Sequence, residues 1–231
     1  MKRPEDIRTA PKEWIALLRV ACEFFWEQKV GDLTLYGSQA MSVYMNSPLR
    51  SKDLDLVSSQ VSFRQMERLA DKLREIKGVE YRTTSAQTRP FDDRKMTTYA
   101  IELRVTGKPF FVELFDRVLD GRSTSILQPY VVPTKRWNLD FWSPTREAVV
   151  ALRLAFRQPE GITRFNAIRL NRFIRQNRSS LRLKLVGSII KEWGIEDWVE
   201  KNLVDLYNRN KIRILNDDKI IPGIEHKISG Q

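Results

Sequence analysis

Asp53 and Asp55 stand two residues apart in the run Asp53-Leu54-Asp55-Leu56-Val57, which alternates polar and apolar side chains. A period of two predicts a strand, on which both acids share one face roughly 7 Å apart. Two like charges so placed repel each other and weaken a sheet unless a cation lies between them. The plain alternative is an acidic pair met by chance at a solvated strand end. Upstream, Gly37-Ser38 closes the short run Leu33-Thr34-Leu35-Tyr36. Glycine lets the backbone approach a phosphate closely, while a serine hydroxyl and the N–H groups of a helix start can hydrogen-bond its oxygens. Ser38 would serve equally as an ordinary N-cap. Downstream, Glu113 is the lone acid in Phe110-Phe111-Val112-Glu113-Leu114-Phe115. A buried carboxylate without a partner is costly, so Glu113 is expected to join the cation of Asp53 and Asp55, or else to pair with a nearby Arg or Lys. Asp116 is a second candidate for the third acid, but strand alternation sets it on the face opposite Glu113.

The residue inventory narrows the chemistry. Cys22 is the only cysteine and His226 the only histidine, which rules out an internal disulfide and leaves no thiolate zinc site or histidine acid–base pair to build. Carboxylate oxygens are hard donors, and with nothing softer available they point to Mg²⁺ or Mn²⁺. The charged start Met1-Lys2-Arg3-Pro4-Glu5-Asp6 predicts no secretory signal. No apolar run approaches the roughly 18 residues of a membrane span. A cytoplasmic protein without a membrane partner is expected.

The elements that must position these residues can be read in outline. Pro11 and the helical spacing of Trp14, Leu17, Leu18, Ala21, Phe24 and Phe25 predict a helix over residues 11–29. A strand is expected at 33–36, a short helix at 40–45, a strand at 53–57, a helix over 62–77 and a strand at 79–84. Ser85–Lys95 shows neither period and is expected to form a loop. Thr98–Val105 and Pro109–Phe115, joined by Thr106-Gly107-Lys108, predict a hairpin. Beyond Pro129, helices are expected at 144–157, 163–177, 179–192 and 195–209 with no strand among them, then a weakly ordered tail after Leu215. The pattern is α+β: a mixed unit over 1–135, an all-helical basic lobe over 136–215 and a tail over 216–231. Trp137, Phe141 and Trp142, near the join, are expected to bury a domain interface, with base stacking as the alternative.

The formal net charge is +11, and residues 144–191 hold nine arginines and two lysines against Glu147 and Glu160, or 11 − 2 = +9. Such an excess favours polyanions, RNA above all, and the forked guanidinium suits phosphate better than lysine does. Arg169, Arg172 and Arg175, three apart on the predicted helix that also carries Ile168, Leu170, Phe173 and Ile174, are the most regular stripe. A solvated face or a funnel for triphosphate would look the same.

Leu35-Tyr36-Gly37-Ser38-Gln39-Ala40-Met41 followed by Arg50-Ser51-Lys52-Asp53-Leu54-Asp55-Leu56-Val57 resembles the signature of the DNA polymerase beta-like nucleotidyltransferases, and most nearly the AbiEii-type toxins among them. The resemblance spans about residues 33–116. It implies a mixed sheet with flanking helices, catalytic and metal-binding roles for Asp53, Asp55 and Glu113, and nucleotide binding by Gly37, Ser38, Lys52 and Arg153. It implies transfer of a nucleoside monophosphate from an NTP to an acceptor hydroxyl, with two Mg²⁺ ions and release of pyrophosphate. An RNA 3′ end of transfer-RNA type is the preferred acceptor, Arg169, Arg172 and Arg175 its binding residues, and an antitoxin protein a further partner. A protein hydroxyl as acceptor, or a chain that binds nucleic acid without catalysis, are the competing readings. The helical part departs from the toxins: Arg153 stands where a lysine is expected, and Asn166 and Arg169 where acids are.

Overall fold

Pro11, with its φ preset and no N–H to satisfy, opens helix α1 (Pro11–Glu27), and Glu13 Oε2 accepts the Ala10 N–H at 2.8 Å. The computed structural model describes residues 8–156 and 161–229. Helix α1 buries Trp14, Leu17, Leu18, Ala21, Phe24 and Phe25, the set its periodicity predicts. There follow β1 (Thr34–Leu35), α2 (Gly37–Val43), β2 (Asp53–Val57) and α3 (Phe63–Leu73). A capping box of Ser62 and Gln65 starts α3, which buries Met66, Leu69, Ala70 and Leu73. Strands β3 (Val79–Phe91), β4 (Arg94–Val105), β5 (Lys108–Phe115), β6 (Val131–Arg136) and β7 (Leu139–Pro144) complete a seven-stranded sheet of order β3-β4-β5-β2-β1-β7-β6. The pairs β2–β5 and β1–β7 are parallel and the others antiparallel. This is the mixed α+β sheet with flanking helices that the sequence predicts.

Alternation along the strands separates two faces. Leu54, Leu56, Ile101, Leu103, Val112 and Leu114 are buried on the side covered by α1 and α3. Each such side chain contributes about 1.5–3 kcal/mol of burial, so β2 and β5 are held firmly in register. Asp53, Asp55 and Glu113, at the alternate positions, are therefore forced onto the other face.

Three expectations are corrected. Ser85–Lys95 is no loop: β3 and β4 run on as a hairpin paired out to Phe91 and Arg94, turning through Asp92 at φ 50°. Most of β3 is exposed on both faces, so no buried side imposes an alternation to read. Residues 131–144 are strands, because Trp137 and Asn138 form a two-residue turn with φ 55° at both. A tryptophan carries no turn signal; this one is held by Trp14, edge-on at 5.2 Å, and by Phe141, stacked at 5.9 Å. Trp137 and Phe141 thus pack within the sheet unit, and Trp142 is exposed. The segment after Leu215 is also ordered, with a 3₁₀ turn at Asp217–Lys219 and a short helix over Ile224–Ser229.

The chain divides into two compact units, one reaching Val43 and resuming over Ser47–Pro144, the other formed by Tyr44–Asn46 and the residues from Thr145 onward. The second contains α4 (Arg146–Leu154), α5 (Arg164–Gln176), α6 (Leu183–Glu192), α7 (Glu196–Asn210) and α8 (Ile224–Ser229). Asn202 Nδ2 donates to the Leu154 and Phe156 carbonyls at 2.8 and 3.0 Å, closing the end of α4. Ile220, Ile221, Ile224 and Ile228 are buried, which is why the C-terminal segment folds. A Cβ on Gly187 of α6 would lie 2.5 Å from the Ile220 carbonyl oxygen. In an open helix Gly→Ala stabilises by roughly 0.5–1 kcal/mol; here Gly187→Ala is expected to lower Tm instead, and an unchanged or raised Tm in thermal unfolding would contradict that packing.

Candidate metal and phosphate site

Parallel pairing sets Asp55 opposite Glu113 and Asp53 opposite Phe111, so the three acids fall on one patch of the open face. They are half-buried, and one carboxylate oxygen from each lies within 4.8 Å of those of the other two. Gly37, at φ 59°, brings the start of α2 against this patch: a Cβ there would overlap Asp55 Oδ2. The chain has left-handed glycine where the carboxylate occupies the space a side chain would need.

Two residues passed over in sequence shape the site. Ser51, buried, donates to Asp53 Oδ1 at 2.7 Å and receives Gln39 Nε2 at 2.8 Å. Gln39 Nε2 also donates to the Asp53 carbonyl. With its own proton on Asp53, Ser51 Oγ accepts from Ser38 Oγ at 3.1 Å. Ser38 lies inside α2 with its hydroxyl turned to Ser51, which leaves its N-cap reading without a role. The signal was present in the Arg50-Ser51-Lys52-Asp53 stretch, but only three-dimensional proximity shows its use. A hydrogen bond to a charged group contributes about 1.5–3 kcal/mol. Ser51→Ala is accordingly expected to weaken binding of a divalent cation about 10- to 100-fold, with Ser51→Thr recovering most of it; calorimetric titration of both variants with Mn²⁺ is the check.

The remaining predicted residues fall as follows. Asp116 Oδ1 accepts the Thr97 N–H at 2.7 Å and so pins β4 beside the end of β5, away from the triad. Lys52 is exposed at the foot of β2. The cation whose charge acts on Glu113 is Arg89 of β3, in the segment expected to be a loop. Arg153 belongs to the helical unit, where it stacks on Phe156 at 4.8 Å. Arg169 lies over the Phe165 ring at 4.5 Å, while Arg172 and Arg175 are exposed. Ile168 is 53% exposed among them rather than part of the apolar side, which Ala167, Leu170, Phe173 and Ile174 form. Arg157 and Glu160 lie outside the described residues.

No protein-family model and no curated sequence matches the chain. Among solved structures, one from Helicobacter pylori described as a nucleotidyltransferase matches with a TM-score of 0.52 at 14% identity, over 96% of this chain and 98% of that one. The H. pylori protein JHP933 matches with a TM-score of 0.50 at 14% identity, over 94% and 92%. The fold is that of the nucleotidyltransferases.

On this nucleotidyltransferase fold, the electrostatics of the three acids fit a divalent metal. Glu113 holds its proton above the ordinary carboxylate range, first because it is buried and next because Asp53 repels its charge; a hydrogen bond with Asp55 and the charge of Arg89 oppose the shift. Three carboxylates gathered on one patch, with no softer donor beside them, form a donor set suited to a hard dication. A carboxyl whose folded pKa is raised favours folding at pH below the ordinary carboxylate value, and that contribution is lost as pH climbs through the raised one. Without metal, Tm should therefore fall more steeply from mildly acidic to neutral pH in the native chain than in Glu113→Gln. Thermal unfolding in chelator at a series of pH values measures this, and equal slopes would remove Glu113 from the coupled set.

Proposed function

We propose that this chain is an Mg²⁺- or Mn²⁺-dependent nucleotidyltransferase that moves a nucleoside monophosphate from an NTP to a hydroxyl of RNA. The observation that carries the reading is the convergence of Asp53, Asp55 and Glu113 on one face beside Gly37. These three acids would hold the divalent cation, which, when bound, polarises the triphosphate and offsets the charge that develops on it. The acceptor oxygen bonds to the α-phosphorus while the bond to the departing pyrophosphate breaks, and the acceptor proton leaves to water. Gly37 and Ser38 are assigned to the outgoing phosphates through the backbone N–H groups at the start of α2, the Ser38 hydroxyl being given to Ser51; Ser51 and Gln39 hold Asp53 in place, and Lys52 adds positive charge.

RNA is preferred to a protein acceptor because the helical part of the chain carries most of the net charge. The likeness of residues 35–41 and 50–57 to the AbiEii-type toxins extends the proposal to growth inhibition relieved by a partner antitoxin. The deciding experiment incubates the chain and Mg²⁺ with each labelled NTP, together with total RNA or with RNase-treated lysate. Label entering RNA and release of pyrophosphate are expected. Label entering protein alone would replace the acceptor, and no transfer from any NTP would discard the reading.

A further inference from the structure

The helical unit holds a groove of about 830 Å³ between the end of α5, the start of α6 and the turn at Asn216–Lys219. Four cations line it, Arg178, Arg182, Lys184 and Lys219, with Asn216 and Ser188; its other lining residues are isoleucine and leucines, and none is acidic. Among the described residues Arg178, Lys184 and Lys219 make no ion pair, and Arg182 has Glu147 at 3.6 Å while remaining 75% exposed. Charges of one sign gathered in a concave surface reinforce one another's field and attract a polyanion.

The groove is built by packing. Asn171 clamps the chain after α7 onto α5: its Nδ2 donates to the Arg213 carbonyl and its Oδ1 accepts the Leu215 N–H, both at 2.8 Å. Buried Asp217 is held by Arg213, with Nε to Oδ2 at 3.2 Å. Gly187 lets the Ile220 backbone lie against α6. These contacts fix Asn216 in a left-handed conformation and bring Lys219, 35 positions after Lys184 in the chain (219 − 184), to the same rim. Arg182 at the N-cap of α6 makes no side-chain cap, and its own N–H is taken by Glu147 Oε1 at 3.0 Å.

We propose that this groove binds the phosphodiester backbone of single-stranded RNA. It is distinct from the exposed row Arg172–Arg175 and uses Lys219, which lies outside the basic segment 144–191. The proposal deepens the reading of RNA as acceptor and rests on it. Three unpaired cations and a neutral polar pair suit successive phosphates, while the apolar lining suits the faces of sugars or bases.

The test measures binding of a fluorescent single-stranded RNA by anisotropy across a salt series, without NTP. The proteins compared are the native chain, Arg178→Glu/Lys184→Glu/Lys219→Glu, and the gentler Arg178→Gln/Lys184→Gln/Lys219→Gln. The native chain is expected to bind and to lose affinity as salt rises. The neutral triple should bind at least 10-fold more weakly, with a log–log salt slope shallower by about 2, from roughly 0.7 per phosphate contact. The reversed triple should be weaker still. Unchanged affinity in the neutral triple, no RNA binding by the native chain, or tighter binding of duplex DNA than of RNA would each overturn the assignment. Mg²⁺- and NTP-dependent thermal shifts are read in parallel. If they persist while RNA binding fails, the groove is refuted and the acid site stands; if they vanish while RNA binding holds, the reverse applies.

Discussion

Replacing Asp53 and Asp55 together by asparagine is expected to cut NTP-dependent pyrophosphate release at least about 1,000-fold while raising the Tm of the metal-free protein. The two effects have one origin. Asparagine keeps nearly the shape of aspartate, so the overlap region at Gly37 and the donation from Ser51 remain geometrically available. What disappears is negative charge. Without a cation, Asp53 repels Glu113 and lies beside a second carboxylate on its own strand face, and removing the two charges relieves a cost that the folded chain bears. With a cation, the same charges become the source of binding. Ligand at 100 times its Kd stabilises by about 2.7 kcal/mol, so millimolar Mg²⁺ should raise Tm clearly in the native chain and leave the double variant where it was. A loss of activity from misfolding would lower Tm instead, and the pair of readings separates these cases. A variant that turns over at the native rate, or gains as much from Mg²⁺, would show that these acids hold no metal that matters.

The residues of this site were legible in the sequence because their signals are local. Alternation through Asp53–Val57 and Phe110–Phe115 fixes which face each acid takes, and burial of Leu54, Leu56, Val112 and Leu114 makes that choice binding. Tertiary pairing then needs only to bring β2 beside β5. What escaped reading depends on contacts distant in sequence. Ser51 looks like any polar loop residue until Gln39 and Ser38 are folded against it. The arm of β3 and β4 has two wet faces and so no periodicity to betray it. The turn at Trp137 and Asn138 depends on Trp14, far upstream, to hold a large side chain at positive φ. The C-terminal isoleucines recur at helical spacing, but Pro222-Gly223 breaks the run and leaves too short a helix to stand out; α6 and α7 give them surfaces to cover. Ile168 misled in the opposite sense: apolar in a helical period, it sits out among arginines.

Gly37→Ala is expected to lower the proposed activity about 100-fold through displacement of the Asp55 carboxylate by an ångström or so. Two costs combine. A left-handed backbone at φ 59° charges any L-residue with a Cβ roughly 1–2 kcal/mol. The new Cβ would also overlap Asp55 Oδ2 and lie 2.6 Å from its Cγ, so either α2 or the Asp55 side chain must move. A double-mutant cycle with Asp55→Ala separates the costs, since alanine there removes the carboxylate and leaves the backbone strain. The loss in stability from Gly37→Ala should shrink in the Asp55→Ala background toward the backbone value, giving a coupling of at least about 0.5 kcal/mol. Additive losses would place the whole effect in φ and leave the glycine as a simple turn residue. Coupled losses would mean that the glycine and the aspartate, 18 positions apart (55 − 37), are specified together, because the carboxylate fills the volume the glycine leaves open.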